Sequence, residues 1–375
     1  ELCWGNDNAR VCWGHARSRD LVHWEHLPVA MRAGTPYDGS GVWSGCIVKD
    51  GGKAKAFYTG VAAGITKAQS QCLAESTDMI EWTKYGGNPI IPKPPAGVNP
   101  LFFRDPCVFQ YGGRWMMAVG ASFSLKGTIL LYSSQDLTSW RYEGRMFSAE
   151  SRADGRMWEC PCFFPLGEKW VLIVSLMSGE VRYFIGGFDG KYFRPEKKGM
   201  IDHGSCFYAP QVFFDEKGRA LMFGWMKENR SLGMMSGWQG IMSLPRELAI
   251  EDGKLVCRIA EEISSIENGV VTSENITLDG KNFIAGEIGS NHFRFRGLFD
   301  VPNGCALLLE ISHSEKGDEK TFVEYDSGSR MLKLDRNESS RNPRAKKSSC
   351  QATLDGPEIS LDIVVDASAL EIVAN

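Results

Sequence analysis

Ser18-Arg-Asp20-Leu-Val-His-Trp24, Ser76-Thr-Asp78-Met-Ile-Glu-Trp82 and Ser134-Gln-Asp136-Leu-Thr-Ser-Trp140 are three copies of one pattern, S-x-D-[LM]-x-x-W. Their tryptophans stand at 24, 82 and 140, two equal intervals of 58 residues. Self-similar segments at a fixed period are the mark of a repeat architecture. A worn fourth copy, Gly187-Phe-Asp189-Gly-Lys-Tyr-Phe193, breaks the interval. Between the copies lie short strand-like runs such as KAKAFYTGV (53–61) and RWMMAVGAS (114–122). Roughly four strands per repeat is the unit of a β-propeller blade, and a ring of blades leaves few strand edges open. Each copy reads as a turn followed by an aromatic that plugs a neighbouring sheet.

The rest of the composition agrees with an all-β chain. The 375 residues include 41 Gly, 11 Trp and 20 Phe, and β-branched and aromatic residues gather in short runs such as Trp170 to Met177. A net charge of −4, from 42 basic and 46 acidic residues without a long basic block, argues against nucleic acid or an anionic membrane as partner. The longest apolar runs fall well short of the ~18 to 20 residues that a membrane span requires. Eleven cysteines is an odd number, and their spacings form neither a disulfide framework nor a zinc pattern. Sequons at Asn229, Asn275 and Asn337 permit glycosylation, and the compartment stays open.

From about Cys257 the repeats stop. Residues 258–275 read as a polar linker, and strands such as CALLLEIS (305–312) and EISLDIVVD (358–366) flank a basic, Ser-rich loop at 336–349. Residues 276–375 therefore read as a second, sheet-only domain, a β-sandwich, behind a propeller over 1–257.

An unusual polar motif follows each tag. Trp43-Ser44-Gly45, Arg104-Asp105-Pro106 and Glu159-Cys160-Pro161 place Trp43, Asp105 and Glu159 at 25, 29 and 25 residues after the first serine of their tags, and Tyr208-Ala209-Pro210 follows the worn copy. The innermost strands of a propeller face one central funnel, so motifs at equivalent repeat positions converge although ~50 to 60 residues apart. Taken singly, an Arg-Asp-Pro reads as a salt-bridged turn and a Glu-Cys-Pro as a loop; their shared phase favours one pocket holding Asp105 and Glu159. Carboxylates in a funnel with flat faces from Trp43 and Tyr208 suit cleavage of a glycosidic bond. Glu159, followed by Cys-Pro-Cys-Phe-Phe, has the apolar company expected of a proton-donating acid.

WGHARSRDLVHWEHLP, GVWSG, FRDP, WECP, FYAPQ and GWQGIMSLPREL, in this order, resemble glycoside hydrolase family 32, the invertase, fructanase and sucrose-6-phosphate hydrolase group, and LDIVVDASALEIVAN (361–375) resembles its late sandwich strand. The resemblance implies a five-bladed β-propeller followed by a β-sandwich, and retaining hydrolysis of β-fructofuranosides through a covalent fructosyl-enzyme. It implies Glu159 as acid/base, Asp105 as transition-state stabiliser gripping the fructosyl hydroxyls with Arg104, Trp43 and Ser44 in the same subsite, and Tyr208 near the nucleophile. The substrate would be sucrose, a sucrose phosphate or a fructan, and no metal or cofactor is implied.

The family's nucleophile is the Asp of a W-x-N-D-P-N-G stretch. Trp4-Gly-Asn-Asp7-Asn imitates it without the Pro and the final Gly, and Asp7 stands six residues before Trp13, too few for the remaining strands of a blade. Asp7 reads as a turn residue. One repeat before Trp43 is position −15, so the nucleophile is expected upstream of Glu1 and the first inward strand is expected to be missing. The propeller would then be incomplete at its start, the sandwich at its end, and the chain as it stands inactive. Cys162 and Cys206 stand where the family usually has Asp; alternation should turn Cys160 and Cys162 away from Glu159 as small core residues. A non-catalytic fructoside-binding relative is the alternative, and a five-bladed arabinan-cleaving glycosidase a weaker one that the Arg-Asp-Pro and Trp-Ser-Gly pair opposes.

Overall fold

The computed structural model describes residues 10–227, 240–278, 290–342, 348–354 and 358–375. Trp4, Asp7, Asn229, Trp238 and Gln239 lie outside the described residues. The chain divides into two compact units, Glu1–Arg19 with His23–Cys257, and Asp20–Val22 with Arg258–Asn375.

The first unit is a five-bladed β-propeller. Its first blade shows two strands, β1 (Trp13–Ser18) and β2 (Trp24–Met31). The next three are four-stranded meanders. They comprise β3 (Gly41–Asp50), β4 (Lys53–Val61), β5 (Gln69–Ser76) and β6 (Thr83–Lys84), then β7 (Val98–Tyr111), β8 (Arg114–Phe123), β9 (Lys126–Ser134) and β10 (Arg141–Ser148), then β11 (Trp158–Leu166), β12 (Lys169–Leu176), β13 (Val181–Phe188) and β14 (Phe193–Met200). The last blade joins β15 (Phe207–Phe214), β16 (Ala220–Met226), β18 (Arg246–Glu251) and β19 (Lys254–Ile259), with the short β17 (Ile241–Met242) on β16. The first strands of successive blades, β3, β7, β11 and β15, pack against one another.

The repeated tag is the corner between the third and fourth strands. Ser76 closes β5 and Ser134 closes β9, while Trp82 and Trp140 directly precede β6 and β10. By the same equivalence β1 and β2 hold the third and fourth places of the first blade. Chemistry explains the tag's residue choice. Asp136 Oδ1 accepts the amides of Thr138 (2.8 Å) and Ser139 (2.7 Å), Ser134 Oγ accepts that of Leu137 (2.8 Å), and Asp78 and Ser76 repeat the pattern. The Ser139 amide, with that of Thr138, holds the Asp136 carboxyl well below the usual carboxylate range. The residue after the aspartate turns left-handed in all three copies, at φ 63° for Leu21, 59° for Met79 and 65° for Leu137.

The tag aromatics seal blade to blade. Trp140 meets Phe57 of the preceding blade edge-to-face at 5.8 Å, Phe193 of the worn copy meets Phe147 at 5.7 Å, and Trp82 packs on the core around Met31 and Val42. Trp24 reaches Phe223 of the last blade at 5.8 Å and closes the ring.

The second unit is a β-sandwich. One sheet holds β20 (His292–Asp300), β25 (Glu358–Asp366) and β26 (Ala369–Ala374); the other holds β21 (Ala306–His313), β22 (Lys320–Asp326), β23 (Met331–Asp335) and β24 (Ser349–Thr353). Ile359, Leu361, Ile363 and Val365 alternate inward from β25 onto Leu307, Val323, Tyr325 and Leu332 of the facing sheet. The connector carries a 3-10 helix, Glu261–Ile266, and the following Glu267 is bound by Arg294 (2.8 Å).

Candidate active site

Four innermost strands carry a bulge at one common level. After Trp43 opposite Thr59, Arg104 opposite Gly120, Glu159 opposite Ser175 and Tyr208 opposite Trp225 the register with the second strand of the blade slips, and β7 has a further irregularity before Phe103. A bulge re-aims side chains and leaves a backbone amide outside the ladder. The bulged residues Asp105, Cys160 and Ala209 have φ of 63°, 46° and 48°. Pro106, Pro161 and Pro210 follow them. By register Arg104 is the counterpart of Glu159, with Asp105 the bulged residue after it.

Buried amides demand acceptors, and the preceding blade provides each one. The Asp105 amide donates to Thr59 Oγ1 (2.8 Å), the Cys160 amide to Asp105 Oδ2 (2.8 Å) and the Ala209 amide to Ser175 Oγ (3.0 Å). Behind them Gln69 Oε1 accepts the Phe103 amide and Gln71 Nε2 donates to the Phe103 carbonyl, both at 2.9 Å. Gly120 lets β11 come close, since a Cβ there would lie 2.3 Å from the Trp158 carbonyl oxygen.

This scaffold gathers all six residues singled out in the sequence. Arg104, nearly buried, donates through Nη2 (2.6 Å) and Nε (3.1 Å) to Glu159 Oε1, and its Nε lies 3.9 Å from Asp105 Oδ2. Its guanidinium also stands 5.7 Å from the Trp43 ring centre. Tyr208 Oη bonds Glu159 Oε2. Ser44 is tied in by its carbonyl, which accepts from Thr59 Oγ1 at 3.3 Å. Glu159 therefore sits between a guanidinium and a phenol rather than in the apolar company its sequence neighbours suggested, because the bulge turns Pro161 and Cys162 away from it.

Burial pushes the Asp105 carboxyl up to about 6, against the Arg104 guanidinium and helped by the charge on Glu159. Asp105 Oδ2 accepts the Cys160 amide.

The bulge also corrects the expectation for the cysteines. Simple alternation would turn Cys160 away, yet its Sγ lies 3.5 Å from Asp105 Oδ2, inside the cluster. Cys162 does enter a core cluster, its Sγ donating to the Pro210 carbonyl at 3.2 Å. Burial raises both thiols. Outside the site, Cys12 is disulfide-bonded.

Thr59, Gln69, Gln71 and Ser175 were not singled out in the sequence. A signal existed only for Ser175, a polar side chain in the apolar run at 170–176, which needs a partner if it is buried.

The chain is 31% identical to a sucrose-6-phosphate hydrolase of Zymomonas mobilis over 96% of its length and 75% of that protein's. It is 32% identical to a levanase of Bacillus subtilis over 97% of its length but only 58% of that protein's. A variant of fructan 1-exohydrolase IIa from Cichorium intybus, solved with 1-kestose, superposes with a TM-score of 0.88 at 26% identity, covering 99% of this chain and 82% of that one. Residues 3–258 match the N-terminal domain of glycosyl hydrolases family 32 and residues 263–375 the C-terminal domain, and the chain belongs to that family.

Proposed function

We propose that this protein hydrolyses β-fructofuranosidic bonds with retention, taking sucrose, its phosphate or a fructan. One observation carries the reading: the Glu159 carboxyl is bracketed by Arg104 and Tyr208 from the two flanking blades. Glu159 gives a proton to the leaving oxygen and later takes one from water. Asp105 and Arg104 hold fructosyl hydroxyls, and their grip tightens as charge develops on the ring. Trp43 and Ser44 line the same subsite. The second carboxylate that retention needs belongs, in this reading, to the innermost strand of the blade that holds β1 and β2.

The test is the stereochemistry of transfer. With sucrose and methanol together, the protein carrying that second carboxylate should form methyl β-fructofuranoside in its first turnovers. The α-anomer would overturn retention. Sugar binding by calorimetry without any fructose release would favour the non-catalytic binding relative instead.

A further inference from the structure

A hollow separate from the funnel lies between blades three and four, where the loop after β10 enters β11 and β14 runs alongside, with about 570 Å³ of empty space open to solvent. Trp158 and Glu159 are successive residues at the start of β11, one lining the hollow and the other the funnel, so the hollow opens at the same end of blade four as the acid. Its floor is the half-buried ring of Phe147, backed by Trp158 and Phe184 with ring centres 5.3 and 5.1 Å away. The Trp158 indole N–H is engaged by the Asp154 carbonyl at 2.9 Å, which leaves the floor apolar and fixed in place.

The charged groups around this floor fall into two sets. Asp154 is paired with Arg182 (3.1 Å) and Glu196 with Lys169 (2.8 Å). Among the described residues, no hydrogen bond or ion pair takes up the carboxylate of Glu150 or the ammonium groups of Lys197 and Lys198, and all three residues are exposed. An anion here would face Glu150, Asp154 and Glu196, and a cation would face the two lysines. A neutral polyol suits both signs: its hydroxyls donate to the carboxylate and accept from the ammonium groups while its C–H face lies on the Phe147 ring.

We propose that this hollow is a second carbohydrate site, which holds an internal stretch of a fructan chain outside the funnel. The inference rests on the hydrolytic function proposed above and singles out the polymer among the substrates named there. A site that takes no part in bond cleavage leaves sucrose turnover unchanged. For a polymer it turns capture of a chain end by the funnel into an event within one complex, at a raised effective concentration. The backed ring of Phe147 needs little ordering to receive a sugar, which favours binding.

Binding and turnover are read separately. In native gels containing levan, the Glu159→Gln protein, which does not consume the polymer, should be retarded. Adding Glu150→Ala together with Lys198→Ala should weaken the apparent affinity for levan by about 10-fold, the size expected for two hydrogen bonds to sugar hydroxyls. Phe147→Leu, which keeps an apolar floor without a flat face, should weaken it as well. With Glu159 intact and the second carboxylate present, the Glu150→Ala/Lys198→Ala protein should keep its kcat/KM on sucrose within about twofold of wild type. Levan retardation that is absent at the outset or unchanged by the double substitution would overturn the site, and so would an equal loss on sucrose. A protein that levan retards through these residues but that cleaves neither levan nor sucrose would overturn the hydrolytic function while supporting the site.

Discussion

Arg104 Nη2 stands 2.6 Å from Glu159 Oε1, two residues 55 positions apart in the chain that meet because each is the last regularly paired residue before the bulge of its blade. That contact ties the candidate acid to the fold rather than to a loop, and the expected effects of several substitutions follow from it.

Glu159→Gln keeps the shape and loses the proton. Turnover of sucrose should fall by about 10²- to 10⁴-fold, the contribution of a positioned general acid, while fructoside binding measured by calorimetry changes little. Wild-type rates would mean that another group donates.

Gly120→Ala touches no substrate, yet its Cβ would fall 2.3 Å from the Trp158 carbonyl oxygen. The backbone next to Glu159 must move, and a misplacement of about 1 Å can cost roughly 100-fold in rate. A kcat within threefold of wild type, about 0.7 kcal/mol of barrier, would show that the close approach at Gly120 does not set the Arg104–Glu159 geometry.

Thr59→Val leaves the buried Asp105 amide without its acceptor and should destabilise the propeller by about 1 to 3 kcal/mol. Thr59→Ser keeps the oxygen and should cost less. Urea unfolding of both variants decides it; a loss for Thr59→Ser as large as that for Thr59→Val would show that the hydroxyl's bond to the Asp105 amide is not what stabilises the site.

Asp105 gives stability a pH dependence. Burial pushes its carboxyl in the folded chain up to about 6 from an ordinary 3.8, so its contribution is full below the lower value and is lost as pH rises through the upper one. Between those values the wild type should lose up to about 1.4 kcal/mol per pH unit relative to Asp105→Asn. Parallel stability curves for the two proteins from pH 4 to 7 would refute the raised value.

Trp140→Ala removes a blade seal and should destabilise by about 3 kcal/mol. Trp24, 45% exposed, makes a comparable edge-to-face contact across the ring closure, and Trp24→Ala should cost less than half as much. The reverse order in thermal unfolding would show that ring closure, not burial, dominates.

The sequence by itself carried the repeat, and with it the blades: a serine, an aspartate and a tryptophan at fixed spacing make a corner from local hydrogen bonds alone, so the tag is legible before any tertiary contact is known. The change of pattern at Cys257 and the strand at Glu358–Asp366 were legible from composition and apolar runs. What only the tertiary structure decided was phase and partnership. Strand alternation turned Cys160 away from Glu159, because it assumes a regular strand. Bulges insert a residue without marking it in the spacing, and so Arg104 is the partner of Glu159 and Cys160 faces Asp105. The acceptors Thr59 and Ser175 were hidden likewise. A hydroxyl in a strand announces that it needs a partner, but which amide of the next blade it takes depends on how two sheets pack, and that is set by side-chain volume and by glycines such as Gly120 rather than by any local pattern.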